Sequence, residues 1–346
     1  MMCFELSSFG YTLPKELIAQ KPQEKRDESR LLILDRKKRT LKEVIFKEII
    51  NFLEKGDVLV LNDTKVIPAR IFGKKQSGAK IEVLLLKEIE RGTWEALIRP
   101  AKRLKPNQKI FFNQNSFWAE FLEKKENGIN LIKFNTSEIK DLLNKYGKLP
   151  IPHYIKNYPD EPNRYQTVDA QKEGAIASPT AGLHFTKELL KNLNLKGINI
   201  VYLTLHCGLA TFRPVKEKDI RRHNMPEEYY QIPENTAKII NQAKEDKRKV
   251  FACGTTTTRA LETASFLDKD GIFKIKPDSG TTKLFIYPGY QFKIIDGLIT
   301  NFHLPYSTNL ILVASFCDLD FILKAYQYAI EKKFRFFSFG DAMLIV

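Results

Sequence analysis

Val58-Leu59-Val60-Leu61-Asn62-Asp63-Thr64-Lys65 joins two textures of sequence, and the fold turns on how it is read. The unbroken apolar run 58–61 predicts a strand, and the polar residues after it predict a turn. Upstream, Phe46, Ile49, Ile50 and Leu53 recur at helical spacing and Gly56 closes them. Before that, 31–34 reads as a strand ending at Asp35, and 14–20 as a helix with Pro14 in its first turn. This opening alternates helix and strand as an α/β sheet does. From 66 onward the rhythm changes. The segments 66–72, 81–86, 93–98, 109–112, 117–122 and 129–134 are short strand candidates separated by Gly, Asn and Lys turns. Six strands without a helix predict a small β-barrel or curled sheet.

After 152 the alternation returns, with helices expected at 186–193, 233–244, 256–267 and 318–332 and strands at 198–205, 249–252 and 284–287. The expected fold class is therefore α/β. A main α/β catalytic domain, residues 1–62 plus 151–346, is interrupted by a small all-β, barrel-like domain inserted over 63–150.

The chain carries 56 Lys and Arg against 41 Asp and Glu, a net charge of +15 that suits a polyanionic partner or, equally, a solvated Lys-rich surface. Cys3, Cys207, Cys253 and Cys317 form no C-x-x-C pair, so no structural metal is expected and the thiols fit a reducing compartment. The first residues lack the order of a signal peptide, and the longest apolar runs, such as 310–316, are too short to span a bilayer. A cytoplasmic protein with no membrane partner follows. No heptad or extended apolar seam argues for assembly, so a monomer is expected.

Several stretches crowd polar and catalytic residue types where a core would want bulk. Asn62, Asp63 and Thr64 follow a strand directly, the place where α/β sheets hold ligands, and Arg70 lies just beyond; a solvated turn capped by Asp63 or Thr64 is the competing reading. Thr180 and Gly182 sit in a loop feeding a helix N-terminus that could hold an anion, with His184 beside it to exchange a proton. A simple capping loop would look the same. His206 ends a strand and is followed by Arg213, then by His223, Glu227, Glu228, Tyr229 and Tyr230, which supply acid/base groups and aromatic faces. Thr255, Thr256 and Arg259 follow Gly254 in a strand-to-helix turn that lacks both a Walker Lys and a G-x-G-x-x-G spacing. Asn301 and His303, with Asp341 in the tail, complete the set.

The runs Pro179-Thr180-Ala181-Gly182-Leu183-His184-Phe185-Thr186 and Ile299-Thr300-Asn301-Phe302-His303-Leu304-Pro305 carry a resemblance. With 13–20, 26–35, 56–70, 100–104, 164–167, 204–215, 254–262, 288–290 and 326–345, they resemble the S-adenosylmethionine:tRNA ribosyltransferase-isomerases of the queuosine pathway from end to end. Two positions depart from the family pattern. Ala210 stands where a Gly is expected, and Pro226 where a second His follows Met225. A proline transfers no proton, which moves that role locally to His223 or Glu228. Ser178 for Ala and His153 for Pro are milder changes.

The resemblance implies transfer and isomerisation of the ribosyl moiety of S-adenosylmethionine onto the 7-aminomethyl group of 7-aminomethyl-7-deazaguanine at the tRNA wobble position. Epoxyqueuosine-tRNA forms, and adenine and methionine leave. It implies no cofactor, S-adenosylmethionine being a consumed substrate. Proton transfer is expected at His184, His206 and His303, with Asp63, Glu228 and Asp341 orienting them or holding the ammonium, and Arg213 and Arg259 meeting a carboxylate or phosphate. Lys74, Lys75, Lys102, Arg103, Lys105, Arg221 and Arg222 are the expected RNA contacts. A methyltransferase would carry a Gly-rich nucleotide loop near the N-terminus, and the first hundred residues contain none. A non-catalytic RNA-binding protein would explain the charge but not the His, Asp and Thr clusters at strand ends.

Overall fold

A computed structural model describes residues 4–102, 104–208 and 215–346. Cys3, Arg103, Ala210 and Arg213 lie outside the described residues. The chain forms two compact units. One comprises Met1–Lys65, Pro152–Lys172 and Ser178–Val346; the other comprises Val66–Ile151 with Glu173–Ala177.

The first unit is built on a nine-stranded sheet. Its order is Asp278–Thr282, Glu228–Ile232, Asn199–Leu205, Val58–Asn62, Val250–Cys253, Gly297–Asn301, Ala342–Ile345, Arg30–Asp35 and Thr40–Ile45. The four strands at its centre, from Asn199–Leu205 to Gly297–Asn301, run parallel, so Leu205, Asn62, Cys253 and Asn301 all end at the same edge. Val58–Asn62 is buried at every position, which is why its sequence is an unbroken apolar run rather than an alternation. Against the sheet pack the 3-10 turn Phe46–Phe52 and the helix Lys187–Leu195, joining Phe46, Ile49, Phe185 and Leu193 to Leu59 and Phe251 in one core.

The second unit contains a closed, wholly antiparallel barrel in the order Asn130–Phe134, Thr93–Arg99, Lys80–Glu90, Arg70–Lys75, Gln108–Phe112 and Phe117–Lys124. Alternate residues Ile110, Phe112, Phe117, Ala119 and Phe121 point inward and fill it. At Gly73 a side chain has no room, because a Cβ there would fall 2.7 Å from the Phe111 carbonyl oxygen and 2.8 Å from the Phe112 ring.

The α/β sheet and the six-stranded barrel match the expected fold class, and single elements differ. The helix Ile139–Tyr146 lies in the second unit, where only strands were expected. Helix Thr308–Cys317 was not expected either; all but two of its residues are buried, so its apolar residues show no helical period. The expected strand at 284–287 does not form. The backbone of Leu284 is taken by side chains, its N–H donating to Thr282 Oγ1 at 3.1 Å and its carbonyl accepting from Arg259 Nε at 2.9 Å. The helix expected over 256–267 runs Thr255–Thr263, after which Ser265–Leu267 forms a hairpin with Phe273–Ile275. The helix expected over 14–20 is one 3-10 turn, Lys15–Leu17. Among the described residues no helix is long and apolar enough to cross a membrane.

The sheet is tight where Gly297 faces Phe251, since a Cβ at 297 would lie 2.4 Å from the Phe251 ring. Phe251 is fully buried and cannot swing into solvent. Gly297→Ala is therefore expected to destabilise the protein by about 1–3 kcal/mol, with partial recovery when Phe251→Leu is added. Denaturant unfolding measures this, and an unchanged midpoint for Gly297→Ala would show that the ring has room to move.

Candidate active site

The strand ends are stitched together by one side chain. Asn62 Nδ2 donates to the Leu205 carbonyl at 2.9 Å while its Oδ1 accepts from Leu205 N at 3.1 Å, a reciprocal pair like a rung of the ladder. The same Oδ1 accepts from Thr64 N at 3.1 Å, and Nδ2 also lies 3.4 Å from Thr256 Oγ1. Asn62 thus fixes three chain segments where the parallel sheet ends.

His206 stands at this junction. Its Nδ1 is 2.7 Å from Thr64 Oγ1, its ring stacks on Tyr229 at 5.4 Å, and its backbone N–H donates to the Tyr229 carbonyl. Half-burial lowers its pKa, which keeps the imidazole neutral near pH 7. Among the described residues nothing hydrogen-bonds its Nε2. Beside it Asp63 accepts from Thr204 Oγ1 at 2.6 Å, and burial raises its pKa.

Glu228 accepts from the N–H of Gly208 at 2.6 Å and is paired with Arg259, both side chains being almost fully buried. Among the described residues Arg259 Nη2 has no partner. Gly254, at φ +94°, turns the chain into the helix Thr255–Thr263. Thr257 and Thr258 donate back to the carbonyls of Cys253 and Gly254, and Thr255 donates to Asn309 Oδ1 at 3.0 Å. Among the described residues the helix has no side-chain cap, an arrangement in which the first N–H groups can meet an anion.

His184 is enclosed in a different way. It is 4% exposed, stacks on Phe46 at 4.9 Å, and has both ring nitrogens engaged. The direction of each bond follows from a backbone carbonyl. Asn301 Nδ2 donates to Phe337 O at 3.3 Å, so the same NH2 faces His184 Nε2 at 3.1 Å, and Nε2 must accept. Nδ1 then carries the proton and donates to Ser29 Oγ at 2.7 Å, and Ser29 donates to the Arg26 carbonyl at 3.3 Å. Asn301 Oδ1 accepts from Thr180 Oγ1 at 2.9 Å. Gly182 lets this loop approach Thr167, whose Cγ2 would lie 2.8 Å from a Cβ at 182.

The remaining expected residues are spread more widely. His303 Nε2 is 2.7 Å from Thr300 Oγ1, and its N–H donates to Tyr326 Oη at 2.8 Å. Asp341 is buried and accepts from the backbone N–H groups of Arg30 at 2.9 Å and Arg335 at 2.7 Å, and burial raises its pKa. His223 pairs with Glu217 at 3.0 Å and stands edge-on to Phe285. Arg70 belongs to the second unit, where it pairs with Glu82 at 3.1 Å. Lys74, Lys102, Lys105 and Arg222 are exposed and Lys75 is half-buried, while Arg221 is held by Asp219 and lies 4.5 Å from the Phe4 ring. Sequence reasoning missed Ser29, Phe46 and Thr204, since no local pattern marks a partner 155 positions away, as Ser29 is from His184.

Burial holds the His184 pKa down to about 3, helped by the charges of Arg26 and Arg335. An unfolded chain binds that proton near pH 6.5, so this histidine contributes stability that is full above pH 6.5 and is lost as pH falls toward 3. Between pH 6.5 and 5 the slope is expected to reach about 1.4 kcal/mol per pH unit for one such group. Unfolding free energies against pH check this, and a His184→Asn chain showing the wild-type slope would assign the effect elsewhere.

A family model described as queuosine biosynthesis protein matches residues 6–345. A S-adenosylmethionine:tRNA ribosyltransferase-isomerase from Sulfurihydrogenibium sp. (strain YO3AOP1) is 53% identical over 99% of this chain and 100% of its own length. One of the same name from Halothermothrix orenii is 49% identical, again over 99% of this chain and 100% of its own. The crystal structure of S-adenosylmethionine tRNA ribosyltransferase from Thermotoga maritima aligns with a TM-score of 0.56 at 37% identity, covering 98% of this chain and 100% of that one. By matches that run the length of the sequence, this chain belongs to the queuosine biosynthesis protein family.

Proposed function

We propose that the chain transfers and isomerises the ribosyl moiety of S-adenosylmethionine onto the 7-aminomethyl-7-deazaguanine base at the tRNA wobble position, releasing adenine and methionine. The observation that carries a mechanism is His206, a neutral imidazole with one nitrogen held and the other without a partner among the described residues. With the Thr64 hydroxyl turned to the Lys172 carbonyl 3.5 Å away, Nδ1–H donates to Thr64 and Nε2 keeps its lone pair. A sulfonium acidifies the C5′ hydrogens beside it, and a base at this position removes one to give an ylide. Adenine leaves, the aminomethyl group attacks, and methionine departs as the epoxide closes. The Tyr229 face beside the ring favours the imidazolium formed in the first step.

The helix N-terminus at Thr255, uncapped among the described residues, suits the methionine carboxylate, and Arg259 Nη2 is a second donor without a partner among them. Glu228 then serves to hold Arg259 and the Gly208 backbone, and His184, His303, Asn301, Thr180 and Asp341 to hold the loops around the strand ends. The exposed Lys74, Lys102, Lys105 and Arg222 are offered to the RNA backbone, and no resident cofactor takes part. We read the chain as a cytoplasmic monomer, the cytoplasm being in keeping with Cys207, Cys253 and Cys317, which are free and buried.

The protein incubated with S-adenosylmethionine and tRNA bearing the aminomethyl-deazaguanine should release adenine and methionine in equal amounts and yield an epoxyqueuosine nucleoside. S-adenosylhomocysteine in their place would identify a methyltransferase. His206→Asn should lower kcat by about 100-fold or more with the fold intact, as loss of a general base does. A loss under about tenfold would remove His206 from proton transfer.

A further inference from the structure

Arg26, Arg164 and Arg335 have no role in the mechanism above, and the fold brings them to one place. Arg26 and Arg164 line a small pocket with Ser29, Leu183, His184 and Ser338. Arg335 reaches the same spot through Gln23, donating to its Oε1 at 2.7 Å while Arg164 donates to the Gln23 carbonyl at 2.5 Å. Arg26 donates to the Leu183 carbonyl at 3.1 Å. All these partners are neutral oxygens. Among the described residues none of the three guanidiniums has a carboxylate within ion-pair distance, although Asp341 accepts from the Arg335 backbone. Arg164 Nε is buried with no partner among the described residues.

Holding half-buried guanidiniums together with only one carboxylate, Asp341, acting on Arg335 from beyond ion-pair distance is unfavourable unless an anion arrives. The cost is visible in Arg26, whose pKa falls to about 10 through burial and through the charge of Arg164. Arg335 is lowered as well, by burial. A planar fork with an unused N–H matches the oxygens of phosphate or carboxylate in geometry and charge.

We propose that Arg26, Arg164 and Arg335 form an oxyanion pocket beside His184 that takes a backbone phosphate of the RNA substrate. The proposal rests on the tRNA-modifying function above. Phosphate is favoured over the substrate carboxylate because two guanidiniums line the pocket and a third, that of Arg335, is tied to its wall through Gln23, more positive charge than a single carboxylate needs, and because the helix N-terminus at Thr255 already suits that carboxylate. Its wall is His184, whose tautomer is fixed by Ser29 and Asn301, so a bound phosphate would press on a rigid frame and register the RNA on the protein.

The test compares Arg164→Gln, Arg164→Lys and Arg335→Gln with the wild type, reading KM for tRNA, KM for S-adenosylmethionine, direct tRNA retention on filters, and thermal unfolding. For both glutamine variants KM for tRNA and the filter Kd should rise by about tenfold, and the dependence of log Kd on log salt should become shallower by about one. KM for S-adenosylmethionine should stay within about twofold in both, and Arg164→Lys should recover part of the loss. Unchanged tRNA affinity in both folded glutamine variants overturns the proposal. So does a rise confined to KM for S-adenosylmethionine, which would give the pocket to the carboxylate. Filter binding needs no turnover, so a wild type that binds tRNA without modifying it would count against the proposed reaction and leave the pocket to be judged by the filter result.

Discussion

The reciprocal bond pair between the Asn62 amide and the Leu205 backbone is the constraint on which the rest of the site depends. Backbone pairing between Val58–Asn62 and Asn199–Leu205 runs out at Leu203 opposite Asn62. Beyond that point two strands would ordinarily splay into separate loops. Asn62 carries the ladder on with a side chain that presents one donor and one acceptor, as a peptide group does. Leu205 is thereby fixed, His206 follows it, and the same amide oxygen holds the N–H of Thr64, whose hydroxyl meets the histidine. An aspartate here would set a carboxylate against the Leu205 carbonyl, and an alanine would leave buried backbone groups without partners.

His184 and His206 differ in what their surroundings leave them able to do. Around His184 every hydrogen bond has a forced direction, traced from the carbonyls of Phe337 and Arg26 through Asn301 and Ser29. A ring with both nitrogens engaged and a pKa near 3 is a fixed strut that neither takes nor gives a proton near neutral pH. His206 has one bonded nitrogen and a milder lowering. Burial acts on both rings, and the number of partners separates these two; His303, with one ring nitrogen bonded to Thr300, is set apart from His206 by burial that holds its pKa down to about 3.

Legibility in the sequence followed the same division between local and distant interactions. The strand 58–61 and the barrel strands declare themselves by short-range pattern, because burial on one or both faces of a strand leaves a period in the residues themselves. Helix Thr308–Cys317 left no period because it is buried nearly all round, and the strands Gly297–Asn301 and Ala342–Ile345 are short buried runs that periodicity alone does not assign. Asn62, Thr64 and His206 were legible as residues at strand ends. Their connection was not, since it spans about 140 positions and exists only once parallel strands lie side by side. Glu228 and Asp341 looked like acid/base groups by type, and only their partners, Arg259 and two backbone amides, reveal the work each does in the fold.

The proposed reaction depends most on His206 taking a proton from the carbon next to the sulfonium, and isotopic exchange reads that step directly. S-adenosylmethionine carrying deuterium at both C5′ positions, incubated in ordinary water with the tRNA substrate, should yield a product that has lost one deuterium. His206→Asn, folded and able to bind both substrates, should neither release adenine nor exchange deuterium from recovered S-adenosylmethionine. Exchange by His206→Asn at the wild-type rate would contradict the account and place the base elsewhere.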